Sequence, residues 1–187
     1  MDAGRAATAG EDVNGDGSIL EQIQKVKQLH EKHGEGLMAD EDVRALLLEY
    51  RTRIEETDAV MAREGTGAAC SACARHHPSG CCFSGIESGY DDILLLLNLL
   101  LGCPLPEARK ESGSCFFVGE RGCRLVARYY FCLHYFCPEL EGSLGDGRIR
   151  ALKQQVDRQL EAGWRAEEAI RSWLRARSMA KREDELR

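Results

Sequence analysis

The first 69 residues of this 187-residue chain contain no cysteine, and the last fifty contain none either; all nine lie between Cys70 and Cys137. A membrane-length apolar run is also missing. The longest, ILLLLNLLLGC at 93–103, is about half of the roughly 20 residues a span needs, and Asn98 interrupts it. The opening MDAGRAATAGEDVNGDG has neither a cationic flank nor an apolar h-region, so a secretory signal is not expected and a cytoplasmic location is. There is no basic surplus: a net charge of −6 and a pI near 5.5 argue against wholesale binding to nucleic acid or anionic membrane. A Gly-rich phosphate loop, paired catalytic carboxylates and an H-E-x-x-H zinc motif are all absent. What is present, 43% hydrophobic and 30% charged residues, is ordinary globular composition on a chain long enough for one core with helical extensions.

Periodicity makes the chain mainly α. The expected layout is a disordered, Gly/Ala-rich 1–17, a helical hairpin at 18–64, a loop-rich cysteine-cluster segment at 65–140 that binds metal, and C-terminal helices at 141–187. DVNGDGSILEQI imitates an EF-hand loop through Asp12, Asn14, Asp16 and Gly17, but its twelfth position is Ile23 where a bidentate glutamate belongs. Ser18 as N-cap with Glu21 three residues on explains the segment better. Ile19, Ile23, Val26 and Leu29 carry the first helix to HGEG at 33–36, which reads as its break; His30 and His33 read as surface histidines. Val43, Leu47, Tyr50, Ile54, Thr57 and Met61 mark the second helix, entered through Asp40, Glu41 and Asp42.

Asp91 or Asp92 caps a third helix with leucines on every side, which ends at Gly102 before Pro104 and Pro106. ARYYFCLHYFC at 127–137 fits a short helix and a strand equally well. In the tail, Ile149, Leu152, Val156 and Leu160 form one helical stripe, Gly163 reads as a break, and Ala169, Ile170, Trp173 and Leu174 form another. Residues 148–187 carry 11 Lys/Arg against 7 Asp/Glu; the cations crowd the final turns, where the helix dipole favours them.

The cysteines are spaced C-x2-C-x7-C-C, then, after 32 residues, C-x7-C-x8-C-x4-C, with Cys103 standing apart. A C-x2-C turn lets two sulfurs reach one ion, and several pairs in so short a span point to thiolate coordination without naming the metal. In a reducing cytosol such clusters are metal ligands or catalytic thiols more often than disulfides, and an odd total fits poorly with complete pairing. Cys70, Cys73, Cys81, Cys82, Cys115, Cys123, Cys132 and Cys137 are therefore the candidate ligands. His76, His77 and Cys103 are additional candidates, while His134 among aromatics reads as a packed or hydrogen-bonded residue. No single thiol stands out as a nucleophile beside a base, so no catalytic residue is assigned.

This array resembles the YkgJ-type cysteine-cluster family (CxxCxxxCC), a zinc- or iron-chelating domain. Cys70, Cys73, Cys81 and Cys82 match its first block, Cys115-Phe116-Phe117-Val118 with Gly122-Cys123 its second, and Arg128, Cys132 and Cys137 its third. The first loop is four residues longer here, and Tyr129, Leu133 and Phe136 replace the usual Pro, Arg and Pro. The resemblance covers about residues 68–140 and implies a bound metal. One or two 4Fe–4S centres are favoured over zinc, because the leucines of 94–101 and the aromatics of 129–136 would wall such a centre from water. The expected role is structural or electron-transferring, with an unidentified protein redox or interaction partner. The alternatives are a zinc-binding interaction protein and a cluster-dependent redox or group-transfer component.

Overall fold

The computed structural model describes residues 13–67, 69, 82–120 and 122–185, and they form a mainly α fold. Helix α1 is Val13–Ala39, α2 Glu41–Arg63, α3 Asp92–Leu100, α4 Tyr130–His134, α5 Pro138–Leu144 and α6 Asp146–Glu185. A single 3-10 turn, Ile86–Gly89, precedes α3, and a two-strand hairpin pairs Val118 (β1) with Cys123 (β2) and Gly119 with Gly122.

The helix faces are those the periodicity marks. Ile19, Ile23 and Val26 of α1, and Val43, Leu47, Tyr50 and Ile54 of α2, are buried. α2 runs antiparallel along α6: Glu49 pairs with Arg165, Glu56 accepts from Gln155 at 3.0 Å, and Glu64 faces Arg148 at 3.6 Å. α1 lies along α3, where Gln22 donates to the Tyr90 carbonyl at 2.9 Å and to Asp92 at 3.1 Å, and Lys25 meets Asp92 at 2.5 Å. All the leucines of α3 but the partly buried Leu99 are buried, with Leu95, Leu96 and Leu97 at 0% exposure, as a helix apolar almost all round requires. A smaller second core gathers Leu133, Phe136, Leu140, Leu144, Ile149, Leu152 and Val156.

Three features differ from the sequence expectation. First, α1 is already helical at Val13, so Ser18 lies inside it and residues 13–17 are not a disordered lead-in. Its early turn is held by Asp16, whose carboxylate takes both Nε and Nη2 of Arg109, at 2.8 and 2.6 Å. Second, α1 does not break at HGEG. It runs to Ala39, and the hairpin turns on one residue, Asp40, whose extended backbone and carboxylate cap α2 through the Val43 amide at 3.0 Å. Third, the tail is not two helices divided at Gly163. α6 is continuous for 40 residues, or about 60 Å.

The cause in the last two cases is packing. A Cβ on Gly36 would lie 2.8 Å from the Trp173 ring, and one on Gly163 would lie 2.9 Å from the Tyr50 ring. These glycines are where a neighbouring ring presses against the helix backbone. The tertiary contact outweighs glycine's helix penalty of about 1 kcal/mol.

Candidate metal centre

Chain segments from four places bring cysteines together. Residues 82–84 run alongside 113–115: the Cys115 amide donates to the Cys82 carbonyl at 2.8 Å, Ser84 N–H donates to the Gly113 carbonyl at 3.2 Å, and Phe83 bridges Ser114. Gly113, at φ +73°, permits that turn. The β1–β2 hairpin then folds Cys123 back opposite Val118, and Gly122 at φ +99° closes it. α4 presents Cys132 from its first turn, where the Cys132 amide bonds the Tyr129 carbonyl at 2.9 Å.

Cys82, Cys115, Cys123 and Cys132 consequently line one cavity of about 240 Å³. Its remaining wall combines apolar side chains (Met61, Ile86, Val118, Phe136) with Asp58, Arg128 and Tyr90, and with Thr66 and Gly67 beyond the end of α2. Thirty-two residues separate Cys82 from Cys115, and forty-nine separate Cys82 from Cys132. Only the fold unites them.

The other candidates are placed differently. Cys103 is buried at the end of α3, its Sγ 3.4 Å from the Arg124 carbonyl and off the cavity wall. Cys137 precedes α5 and packs on the smaller core. His134 is half-exposed, with Nε2 3.3 Å from Asp157. Cys103, Cys115, Cys123 and Cys137 are free thiols. Cys70, Cys73, His76, His77 and Cys81 lie outside the described residues. Among the described residues, no three Cys, His, Asp or Glu side chains form a group able to hold a metal ion.

Two arginines stand near the cavity's sulfurs, but burial keeps Cys115 protonated. Arg128 is half-buried; burial opposes its charge, but Asp58 and then Cys123 outweigh burial and raise its pKa. Its Nη2 meets Asp58 at 2.7 Å and its Nε meets the Leu125 carbonyl at 3.4 Å. Arg124 also lies near Cys123 and Cys115, though burial depresses its own pKa. Burial pushes the Cys115 thiol up to about 12, only partly relieved by the Phe117 amide that donates to its Sγ at 3.4 Å. A thiol so enclosed becomes a thiolate at neutral pH only if a cation joins it.

Tyr90, 2% exposed, has a buried hydroxyl without a hydrogen-bond partner. Burial raises its pKa first, and Cys123, Cys132 and Cys115 raise it further; the Tyr129 main chain eases the shift without forming a hydrogen bond of normal geometry. An unsatisfied buried hydroxyl beside four sulfurs is uncommon in a finished core.

Two residues that build this site have no motif signal. Asn98, the polar interruption of the leucine run, is fully buried. Its Nδ2 donates to the Leu94 and Ala127 carbonyls at 2.9 and 3.0 Å, and its Oδ1 accepts from the Val126 and Ala127 amides at 3.0 Å each. It thereby pins the irregular segment leading into Arg128 and Cys132. Arg109 joins Asp16, Glu87 (2.5 Å) and the Ser114 carbonyl, tying α1 to both sides of the Cys82–Cys115 pairing. Comparison with protein-family models, with curated proteins and with solved structures finds no match to this chain.

Proposed function

We propose that this chain is a metal-binding cysteine-cluster protein whose thiolates hold an iron–sulfur centre, with a structural or electron-transfer role. The observation that carries the reading is the convergence of Cys82, Cys115, Cys123 and Cys132 on one cavity. The donor set fits: four sulfurs are what a 4Fe–4S centre takes from a protein. The space fits as well. A tetrahedral zinc with Zn–S bonds of about 2.3 Å would draw its sulfurs to about 3.8 Å from one another, closer than a multi-atom cluster needs. A cavity of about 240 Å³ between the thiols suits a larger inorganic unit.

Such a centre, when bound, supplies reversible one-electron chemistry. The chain's own contribution is enclosure and charge. Met61, Ile86, Val118 and Phe136 exclude water, and Arg128 and Arg124 offset sulfur charge. A train of rings leads outward: Tyr90 to Tyr129 at 6.0 Å, Tyr129 to Tyr130 at 4.6 Å, with Tyr130 58% exposed. That contact between the cavity wall and the surface favours exchange of electrons with a protein partner over a purely structural role.

Cys70 and Cys73 follow Gly67 of the cavity wall by three and six residues in sequence, and Cys81 adjoins Cys82; these three are the further donors proposed for the centre, while Cys137, packed on the smaller core, would serve only a separate site. The resemblance to YkgJ-type cysteine clusters supports the same assignment. Anaerobic purification followed by iron, zinc and acid-labile sulfide analysis tests it. Brown protein with matching iron and sulfide is the expected result, lost in Cys115→Ser and Cys132→Ser and kept in Cys103→Ala. Colourless protein with stoichiometric zinc would replace iron by zinc, and metal-free protein with every thiol oxidised would end the proposal.

A further inference from the structure

A second concavity, of about 350 Å³, opens where the start of α3, the Tyr129–Tyr130 segment and one face of α6 meet. It contains no cysteine and shares only Arg128 with the thiol cavity. Four aromatic residues line it: the buried Tyr50, and Tyr129, Tyr130 and Trp164, the last two 58% and 64% exposed. Leu94 and Leu160 supply an apolar back wall. The floor is open because Gly89 and Gly163 carry no Cβ; one on Gly89 would come within 2.5 Å of the Tyr129 ring.

The charges lining this cleft leave one sign in surplus. The Arg128 guanidinium is committed to Asp58 and the Leu125 carbonyl. Asp91 is committed too: Oδ1 caps α3 through the Ile93 and Leu94 amides, and Oδ2 takes Arg171 at 2.6 Å. Glu167 is not. Its one contact is Oε2 to Arg171 at 3.3 Å, and that same guanidinium also stands 3.9 Å from Glu168. Arg171 is therefore shared among three carboxylates, of which Glu168 also reaches Arg175 at 4.0 Å, and Glu167, three-quarters buried, lines the cleft with only that shared guanidinium paired to it. Burial in turn raises the Glu167 pKa.

We infer that this cleft binds an organic ammonium ion, its nitrogen held between the faces of Tyr129, Tyr130 or Trp164 and the Glu167 carboxylate, and its carbon body against Leu94 and Leu160. Aromatic faces attract a weakly hydrated cation through the ring quadrupole. A hard metal ion would want several oxygens, and the cleft offers one uncommitted carboxylate. An anion would meet Glu167 and find no unspent guanidinium among the lining residues.

The test is a calorimetric titration of the full chain with benzyltrimethylammonium, benzoate and benzyl alcohol. The cation binds saturably and the other two do not. Trp164→Ala and Glu167→Gln each weaken the cation by about ten-fold or more. Trp164 is mostly exposed, so Trp164→Ala keeps the parent's thermal unfolding and decides the matter if Glu167→Gln does not fold. Benzoate or benzyl alcohol binding as tightly as the cation, cation affinity unchanged in Trp164→Ala, or no saturable binding of the cation would each overturn the assignment. Metal loading does not enter, so this result stands or falls apart from that of the thiol cavity.

Discussion

Replacing Asn98 by leucine, a residue of similar size, tests whether one buried amide holds the metal-site segment in place. The Leu94 carbonyl keeps its helical partner, the amide of residue 98 itself. Three main-chain groups do not: the Val126 and Ala127 amides and the Ala127 carbonyl all lose Asn98. Each buried, unsatisfied group costs about 1–3 kcal/mol, so three cost about 3–9; the added apolar burial returns about 1–2, leaving a net loss of about 1–8 kcal/mol, centred on about 4. Against a domain stability of about 5–15 kcal/mol, that is a large fraction. Urea unfolding of the full chain with chelator present, so that bound metal adds nothing by mass action, measures the loss. Asn98→Asp keeps the acceptor for both amides but removes the donors, and it falls in the same direction. A loss under about 1 kcal/mol for Asn98→Leu would refute the reasoning, because it would mean that water or a shifted backbone satisfies the 126–127 segment without Asn98.

Arg109→Met leaves the buried Glu87 carboxylate without its cation and lowers stability by about 3–5 kcal/mol, read by urea unfolding; double replacement with Glu87→Gln recovers part of the loss. Gly163→Ala, which helix propensity alone would make stabilising by about 1 kcal/mol, destabilises by about 1–3 kcal/mol because the new methyl meets the buried Tyr50 ring, and thermal melts give the sign. His33 titrates below the ordinary imidazole value, because burial against Trp173, and then Lys32 and Arg177, disfavour its charged form. The unfolded chain therefore takes up this proton first, and stability falls as pH drops below about 6.5; a proton NMR titration of His33 and the pH dependence of unfolding both check it.

The helices were legible because burial repeats with the helical period: the stripes Ile19–Ile23–Val26, Val43–Leu47–Tyr50–Ile54 and Ile149–Leu152–Val156 each form one buried face. Their ends were legible only where the end is chemical. Asp91 caps α3 as its side chain dictates. Gly34, Gly36 and Gly163 read as stops because glycine disfavours helix in isolation, yet Gly36 and Gly163 are contact points for Trp173 and Tyr50 across a distance in sequence. No local window contains that partner.

The candidate site divides in the same way. Cysteine spacing marked the thiols as a set, and Cys82, Cys115, Cys123 and Cys132 do share one wall. Cys103 and Cys137 carry the same residue type at comparable spacing and stand elsewhere, since which way a sulfur points depends on turns that spacing does not encode. Arg128 fitted the cysteine pattern as a position. Its guanidinium beside Asp58, at the boundary of two cavities, is a tertiary fact.

By itself the amino-acid order determined a mainly helical chain, a leucine helix enclosed on almost every side, and a thiol-rich stretch between helical arms. These follow from local propensity, periodic burial and the chemistry of single side chains. Only the tertiary structure decided that α1 and α6 run on through their glycines, that Asn98 and Arg109 fasten the cysteine segments, and that Glu167 and four aromatic rings line a cleft beside Arg128. The reason is physical: each depends on two groups that are far apart along the chain and meet only once the core has formed.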